Sequence, residues 1–173
     1  VEDDQYKALL YNHFGLLMKS EENFVGALHY LKKTYHYELK GDSAYYAMLT
    51  CSSIANVYEL LGGLDSAKSY FEKGLQCKDR ISSSRYFIYV KDYANFLRKN
   101  GEYDKAELML LECEQHIADE RRYSLYSSLA TLYYEMEEYH KALAYAEKVV
   151  ESGDSVVVRG GLLNLYRIHR QLG

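Results

Sequence analysis

Residues 55–67 have the sequence ANVYELLGGLDSA, in which two small residues, Ala55 and Ala67, stand twelve positions apart. A bulky residue follows the first alanine by three positions, at Tyr58, and another precedes the second alanine by three, at Leu64. A pair of glycines between them interrupts the helical pattern. Small residues at facing positions allow two antiparallel helix backbones to approach closely. The stretch therefore predicts a helical hairpin.

The same arrangement occurs three more times along the chain. Its paired small residues are Gly15 with Ala27, Ala94 with Ala106, and Ala130 with Ala142. The first members of the four pairs are spaced by 40, 39 and 36 residues. Because the four copies agree in register, we interpret them as internal repeats, each of which forms two helices.

These residues resemble the tetratricopeptide repeat, which places a small residue, an aromatic residue, an alanine and a further aromatic residue at these offsets across a helix pair. The chain departs from the family pattern in having no tryptophan, no proline and spacings longer than the usual 34 residues. The resemblance implies an all-α fold, a right-handed superhelical solenoid of antiparallel helix pairs with about nine helices.

The helical patterns predict where those helices lie. We expect one repeat array over residues 1–173, as a piece of a longer protein, because the chain begins at Val1 and ends within a repeat. The predicted repeats cover 3–40, 43–78, 83–118 and 122–151, followed by a partial repeat at 155–173. Their helices are predicted at 3–20, 22–40, 43–61, 64–78, 83–99, 102–118, 122–136, 138–151 and 155–171.

Composition and charge argue against several classes of protein. The net charge is −4, and the 21 basic residues are spread along the chain, which does not favour nucleic-acid binding. No apolar run approaches the roughly 20 residues that a membrane-spanning helix needs, so we expect no membrane insertion. The compartment stays open, with the cytoplasm preferred and the periplasm possible after removal of a leader.

Neither catalysis nor a cofactor is expected. The sequence lacks a phosphate-binding glycine loop, an HExxH motif and paired CxxC motifs. The six histidines are scattered and have no neighbours at ligand spacing, so we predict no metal site. Three cysteines, Cys51, Cys77 and Cys113, match neither a zinc site nor a disulfide framework, and we expect buried free thiols.

The resemblance implies a concave groove lined by the first helix of each repeat, on the face that packing does not use. Asparagine there can pair with a peptide backbone, and lysine or arginine can hold a carboxylate. Lys91 and Asn95 resemble the opening of the carboxylate clamp of some tetratricopeptide proteins, but Ser128, Gly160 and Asn164 depart from the rest of it. The predicted groove residues are Asn56, Lys91, Asn95, Arg98, Thr131, Tyr134 and Arg167.

We therefore predict a scaffold or sensor module that binds a protein or peptide in this groove. One alternative is the regulatory region of a larger bacterial transcriptional or signalling regulator. Another is a self-assembly module, in which the unpaired last helix or the tyrosines between repeats hold a homodimer together.

Overall fold

The computed structural model describes residues 2–151 and 155–172. These residues form nine α-helices and a short 3-10 helix at Lys78–Arg80, and they contain no strand. The predicted all-α helical repeat fold is thus confirmed. The helices are α1 (Glu2–Ser20), α2 (Phe24–Lys40), α3 (Ala44–Leu60), α4 (Leu64–Leu75), α5 (Ser83–Lys99), α6 (Tyr103–Glu114), α7 (Asp119–Glu135), α8 (Tyr139–Val150) and α9 (Ser155–Leu172).

Most predicted helix ends agree with the structure to within two residues, but three were wrong by more. Helix α4 stops three residues early, α6 stops four residues early, and α7 starts three residues early. After α4 the Cys77 N–H donates to the Gly74 carbonyl at 3.1 Å, and after α6 the His116 N–H donates to the Cys113 carbonyl at 3.1 Å. These bonds span three residues instead of four, so the chain leaves the α-helix in a tighter turn.

The chain divides into two compact units, Val1–Arg85 and Tyr86–Gly173, with the boundary in the first turn of α5. In the first unit α1 packs on α2, α2 on α3, and α3 on α4. In the second, α6 packs on α7, α7 on α8, and α9 on both α7 and α8. The predicted partial repeat ends at residue 173, which lies outside the described part of the chain. Residues 152–154, just before that repeat, lie outside it too.

The core of the first unit uses the close helix contact that the small residues predict. Ala27, Leu31, Ile54 and Val57 form one cluster with no exposed surface. A Cβ atom added to Gly15 of α1 would lie only 2.8 Å from the Leu31 Cγ atom of α2. The backbone of α1 therefore reaches the side chains of α2 at a distance that only glycine permits.

The core of the second unit is built from tyrosine and leucine. Tyr89, Tyr93 and Leu97 of α5 have no exposed surface, and neither do Leu125 and Leu129 of α7. They recur at intervals of four residues along each helix, so one face of α5 and one face of α7 are apolar. The polar residues of α5 and α7 lie on the other faces of these helices, where they face a cleft or solvent.

The turn within each hairpin has the same backbone structure in all four repeats. Its left-handed residue stands seven positions after the first small residue, and the φ angles of the four range from 58° to 77°. In the second repeat the Gly63 N–H donates to the Tyr58 carbonyl at 2.8 Å, the six-residue bond of a Schellman motif. The other repeats make the equivalent bond. The left-handed residues are Glu22, Gly62, Gly101 and Glu137.

Candidate functional site

A cleft of about 250 Å³ lies in the second unit and is bounded mainly by α5 and α7. Four of the predicted groove residues line this cleft: Lys91, Asn95 and Arg98 of α5, and Thr131 of α7. The remaining lining residues are Asp92, Ala94, Leu110, Ser127, Ser128 and Leu132.

Helix periodicity explains why one face of α5 lines the cleft. Lys91, Asn95 and Arg98 are spaced by four and three residues, so their side chains project from the same side of the helix. The buried residues Tyr93 and Leu97 stand on the opposite side and anchor α5 in the core. Packing therefore directs the three polar side chains into the cleft.

Arg98 is held in place by two contacts. Its guanidinium donates to Asn95 Oδ1 at 2.7 Å and forms an ion pair with the Glu135 carboxylate of α7. The Glu135 contact ties α5 to α7 across the cleft. Much of the positive charge expected from Arg98 is thus already compensated within the protein.

Lys91 has a different environment, because its side chain is exposed at the cleft. Within the described residues, no carboxylate lies at ion-pair distance from its ammonium group. Its positive charge is therefore available to an incoming group, whereas that of Arg98 is shared.

The α7 wall presents hydroxyl groups whose protons are already engaged. Thr131 Oγ1 donates to the Ser127 carbonyl at 2.9 Å, and Ser128 Oγ donates to the Ser124 carbonyl at 3.1 Å. A hydroxyl that donates to its own helix can still accept a hydrogen bond. This side of the cleft thus offers acceptors, and Lys91 and Asn95 opposite it offer donors.

The other predicted groove residues do not line this cleft. Asn56 is half-buried on α3 of the first unit. The Tyr134 hydroxyl accepts a hydrogen bond from Gln171 Nε2 at 3.4 Å, and its ring meets that of Tyr139 edge to face. Tyr134 is thereby used in packing within the second unit. Arg167 is exposed on α9.

A set of tyrosine hydroxyls paired with carboxylates was missed in the sequence. Tyr133 donates to Glu107 Oε1 at 2.6 Å, and Tyr145 donates to Glu114 Oε2 at 3.2 Å. Burial and, less strongly, the neighbouring carboxylates raise the pKa of both phenols, that of Tyr145 to about 12. These phenols stay protonated near neutral pH and serve as donors that join α6 to α7 and α8.

A second cavity, of about 260 Å³, lies in the first unit between α1, the end of α2 and the start of α3, and it was not predicted from the sequence. Its lining includes Glu38, which is only 8% exposed. Burial raises the pKa of this carboxyl to about 7, and a hydrogen bond with Thr50 opposes the increase. A signal was present in the sequence. Glu38 continues the buried series of α2, namely Ala27, Leu31 and Thr34, at spacings of four, three and four.

The described residues contain no group of three or more histidine, cysteine, aspartate or glutamate side chains placed to hold a metal ion. None of the described helices is both long and apolar enough to cross a membrane. Cys51, Cys77 and Cys113 are buried and free, which confirms the prediction for the three thiols.

Comparison with known proteins identifies the repeats. Two models of the tetratricopeptide repeat match residues 50–77 and residues 124–153. These ranges correspond to α3 with α4 and to α7 with α8. No curated protein matches the chain significantly.

A solved structure reported as a functional characterization of Pseudomonas aeruginosa pilF has a similar fold. It superimposes with a TM-score of 0.73 over 98% of this chain and 72% of the other, at 19% sequence identity. At that identity the likeness concerns the fold alone. Together with the four hairpins in one register, the two matching models support assignment of the repeats at residues 50–77 and 124–153 to the tetratricopeptide-repeat family.

Proposed function

We propose that this chain is a protein-interaction scaffold that binds an extended peptide segment in the cleft between α5 and α7. The observation that carries the proposal is the convergence of Lys91, Asn95, Arg98 and Thr131 on one cleft of about 250 Å³. Repeats of this family generally serve as non-catalytic scaffolds. The proposal accordingly gives the cleft residues roles in binding and none in catalysis.

The cleft chemistry suits a segment with an acidic side chain. Lys91 supplies an exposed ammonium group that can pair with a carboxylate. Asn95 uses its Oδ1 atom to accept from Arg98, which leaves its amide N–H groups to donate to a peptide carbonyl. The acceptor hydroxyls of α7 suit the N–H groups of the same segment.

Arg98 is assigned a positioning role. Its bond to Asn95 fixes the orientation of that amide, and its ion pair with Glu135 fixes the guanidinium itself. Because Arg98 already has a carboxylate partner, its contribution to ligand charge recognition is expected to be smaller than that of Lys91.

The test begins with selection of binding peptides from a displayed random library. Fluorescence anisotropy then measures the affinity of the best peptide for the wild-type chain and for Lys91→Ala and Asn95→Ala. Each substitution removes a donor from the cleft, so we expect each to weaken binding by about tenfold, which corresponds to about 1.4 kcal/mol.

Lys99→Ala is the matched control, because Lys99 is an exposed lysine on the same helix that does not line the cleft. It should leave the affinity within about twofold of wild type, a change of about 0.4 kcal/mol. Equal affinities for wild type, Lys91→Ala and Asn95→Ala would refute the assignment of the cleft as the binding site.

A further inference from the structure

The cavity of the first unit has a chemical character different from that of the α5–α7 cleft. Its walls contain two apolar residues of α1, Ala8 and Leu9, and two tyrosines. They also contain four other polar or ionisable side chains. The polar members are Gln5, Asn12, Glu38 and Ser43. Glu38 is the acidic residue in this lining, and it stands at the C-terminal end of α2.

The carboxyl group of Glu38 is incompletely satisfied. Among the described residues, its Oε2 atom has no hydrogen-bond partner, although the atom is almost fully buried. Thr50 is the hydrogen-bond partner that the structure gives this carboxyl group, and its contact favours the charged form. A buried polar atom without a partner costs free energy, and few such atoms occur in native proteins. Because Glu38 lines the cavity, a donor that enters the cavity is a candidate partner for this carboxyl group.

We propose that this cavity receives a lysine side chain from a protein partner, whose ammonium group donates to Glu38. An arginine would need both carboxylate oxygens for its bidentate pairing, and Thr50 already forms a hydrogen bond with this carboxyl group. A lysine ammonium is a compact charge that needs one oxygen, and its aliphatic stem matches the walls formed by Ala8 and Leu9.

Two features favour a protein over a free small molecule as the source of the amine. The volume of about 260 Å³ is below the range of about 300–1,000 Å³ typical of pockets that enclose whole ligands. At the rim, Leu9 is 56% exposed and Tyr46 is 60% exposed. A partner that inserts one side chain would cover these apolar surfaces, whereas a small amine would leave them in water.

Binding of an ammonium group is coupled to ionisation of Glu38, because the groups around Glu38 are neutral or already paired. Tyr37 and Tyr46 stand at the cavity, and the Cys51 thiol, whose pKa burial raises to about 12, lies near Glu38. Lys40, two residues further along α2, is paired with Asp4 of α1 at 3.2 Å. Lys7 of α1 is paired with Asp3. An entering ammonium would therefore be the cation that compensates the Glu38 carboxylate.

Isothermal titration calorimetry with the full chain tests the proposal. The probe is the blocked peptide acetyl-Gly-Lys-Gly-amide, and its controls are the same peptide with norleucine or acetyl-lysine in the central position. We expect the lysine peptide to bind at least tenfold more tightly than either control. Affinity should increase roughly tenfold or more between pH 5.5 and pH 8, because the pKa near 7 leaves Glu38 mostly protonated at the lower pH. Equal binding of the three peptides would overturn the proposal.

Glu38→Gln tests the residue, and Glu21→Gln is the matched control because Glu21 is exposed in the turn after α1. Binding should weaken at least tenfold in the first variant and stay unchanged in the second. Should Glu38→Gln fail to fold, a measurement on the wild-type chain alone still tests the role of Glu38. At pH 6.5, titrations in two buffers of different ionisation enthalpy must show proton release when the lysine peptide binds. No release would overturn the assignment to Glu38.

Pentylammonium distinguishes the two sources of an amine. Weaker binding of this free amine than of the lysine peptide supports a partner protein, because only the peptide covers the rim. Binding of pentylammonium as tight as that of the peptide would overturn the assignment to a partner protein. The proposal concerns the first unit only, so failure of the α5–α7 cleft to bind peptides would leave these measurements unaffected.

Discussion

At the scale of single residues, Glu38 combines a buried position with an ionisable group. Its carboxyl group lies in the last turn of α2, where the partial negative charge of the helix end also disfavours an anion. Burial is the main cause that raises its pKa from 4.5 to about 7. In the folded chain, therefore, the neutral acid is favoured over a pH range in which the unfolded chain carries the carboxylate.

This shift makes the free energy of unfolding depend on pH. Because the folded chain holds the proton more tightly, the stabilisation is complete below pH 4.5 and is lost as the pH rises to about 7. We expect Glu38→Gln, which stays neutral, to gain stability relative to wild type by up to about 3 kcal/mol between pH 4.5 and pH 8. Urea unfolding of both chains at the two pH values measures this difference.

Glu21→Gln provides the comparison for that experiment, because it makes the same substitution at an exposed site. Its stability relative to wild type should change little over the same range. A pH profile of Glu38→Gln parallel to that of wild type would show that Glu38 titrates as it does in the unfolded chain.

At the scale of elements, the turn within each hairpin requires a left-handed residue whatever the sequence provides. Glycine occupies this position in the second and third repeats, at Gly62 and Gly101, with φ angles of 75° and 77°. Glutamate occupies it in the first and fourth, at Glu22 and Glu137, with φ angles of 58° and 62°. For residues with a Cβ atom this conformation costs about 1–2 kcal/mol. The turn is therefore imposed by the packing of its two helices.

This strain predicts opposite effects of two substitutions. Glu137→Gly should stabilise the chain by up to about 1 kcal/mol, after the greater freedom of glycine in the unfolded state is taken into account. Gly62→Ala should destabilise it by about 1 kcal/mol. No atom lies within 4 Å of the added Cβ at Gly62, so the effect is conformational and not a clash. Thermal and urea unfolding of the two variants and of the wild type measure both changes in stability.

Glu137→Ala separates the backbone effect from loss of the glutamate side chain. It keeps the Cβ atom and should leave stability within about 0.5 kcal/mol of wild type. If Glu137→Ala stabilised the chain as much as Glu137→Gly, the gain would come from removing the carboxylate.

The same elements explain how much of the fold was predictable from the sequence. The four hairpins were found because the small residues and the turn recur in one register, and this register follows from helix–helix packing alone. The ends of α4 and α6 were not found, because a last turn that tightens to three-residue bonds carries no residue signal comparable to glycine or proline.

The candidate site was predictable to a similar extent. Helical spacing places Lys91, Asn95 and Arg98 on one face, and the structure has them in one cleft. The ion pair of Arg98 with Glu135 was not predicted, because it joins residues 37 positions apart on different repeats. Glu38 was overlooked although its spacing follows the buried face of α2, since a glutamate near a helix end is usually solvated.

At the scale of the whole molecule, each compact unit has its own buried core. Leu31, Met48 and Ile54 have no exposed surface in the first unit, and neither do Tyr89 and Leu129 in the second. Each unit also contains buried thiols, at Cys51 and Cys77 in the first and at Cys113 in the second. The thiols therefore report the opening of the unit that contains them.

Burial blocks the access of reagents to all three thiols, and it also raises the pKa of Cys77 and that of Cys51, the latter to about 12. We expect Ellman's reagent at pH 8 to label the native chain at least about 100-fold more slowly than the chain in guanidinium. Leu31→Ala should accelerate labelling of Cys51 by about tenfold or more, because a cavity at a fully buried leucine costs about 2–5 kcal/mol. Mass spectrometry of the labelled peptides gives the rate at each cysteine.

Leu60→Ala is the matched control, since Leu60 lies on α3, the helix that carries Cys51, and is 57% exposed. The same substitution at an exposed site leaves no cavity, so labelling of Cys51 should change by less than about threefold. Rapid labelling of Cys51 in the wild-type chain would mean that the first unit opens without the loss of its core. Equal acceleration by both variants would mean that the reagent reaches Cys51 by a local movement of α3, independent of the packing around Leu31.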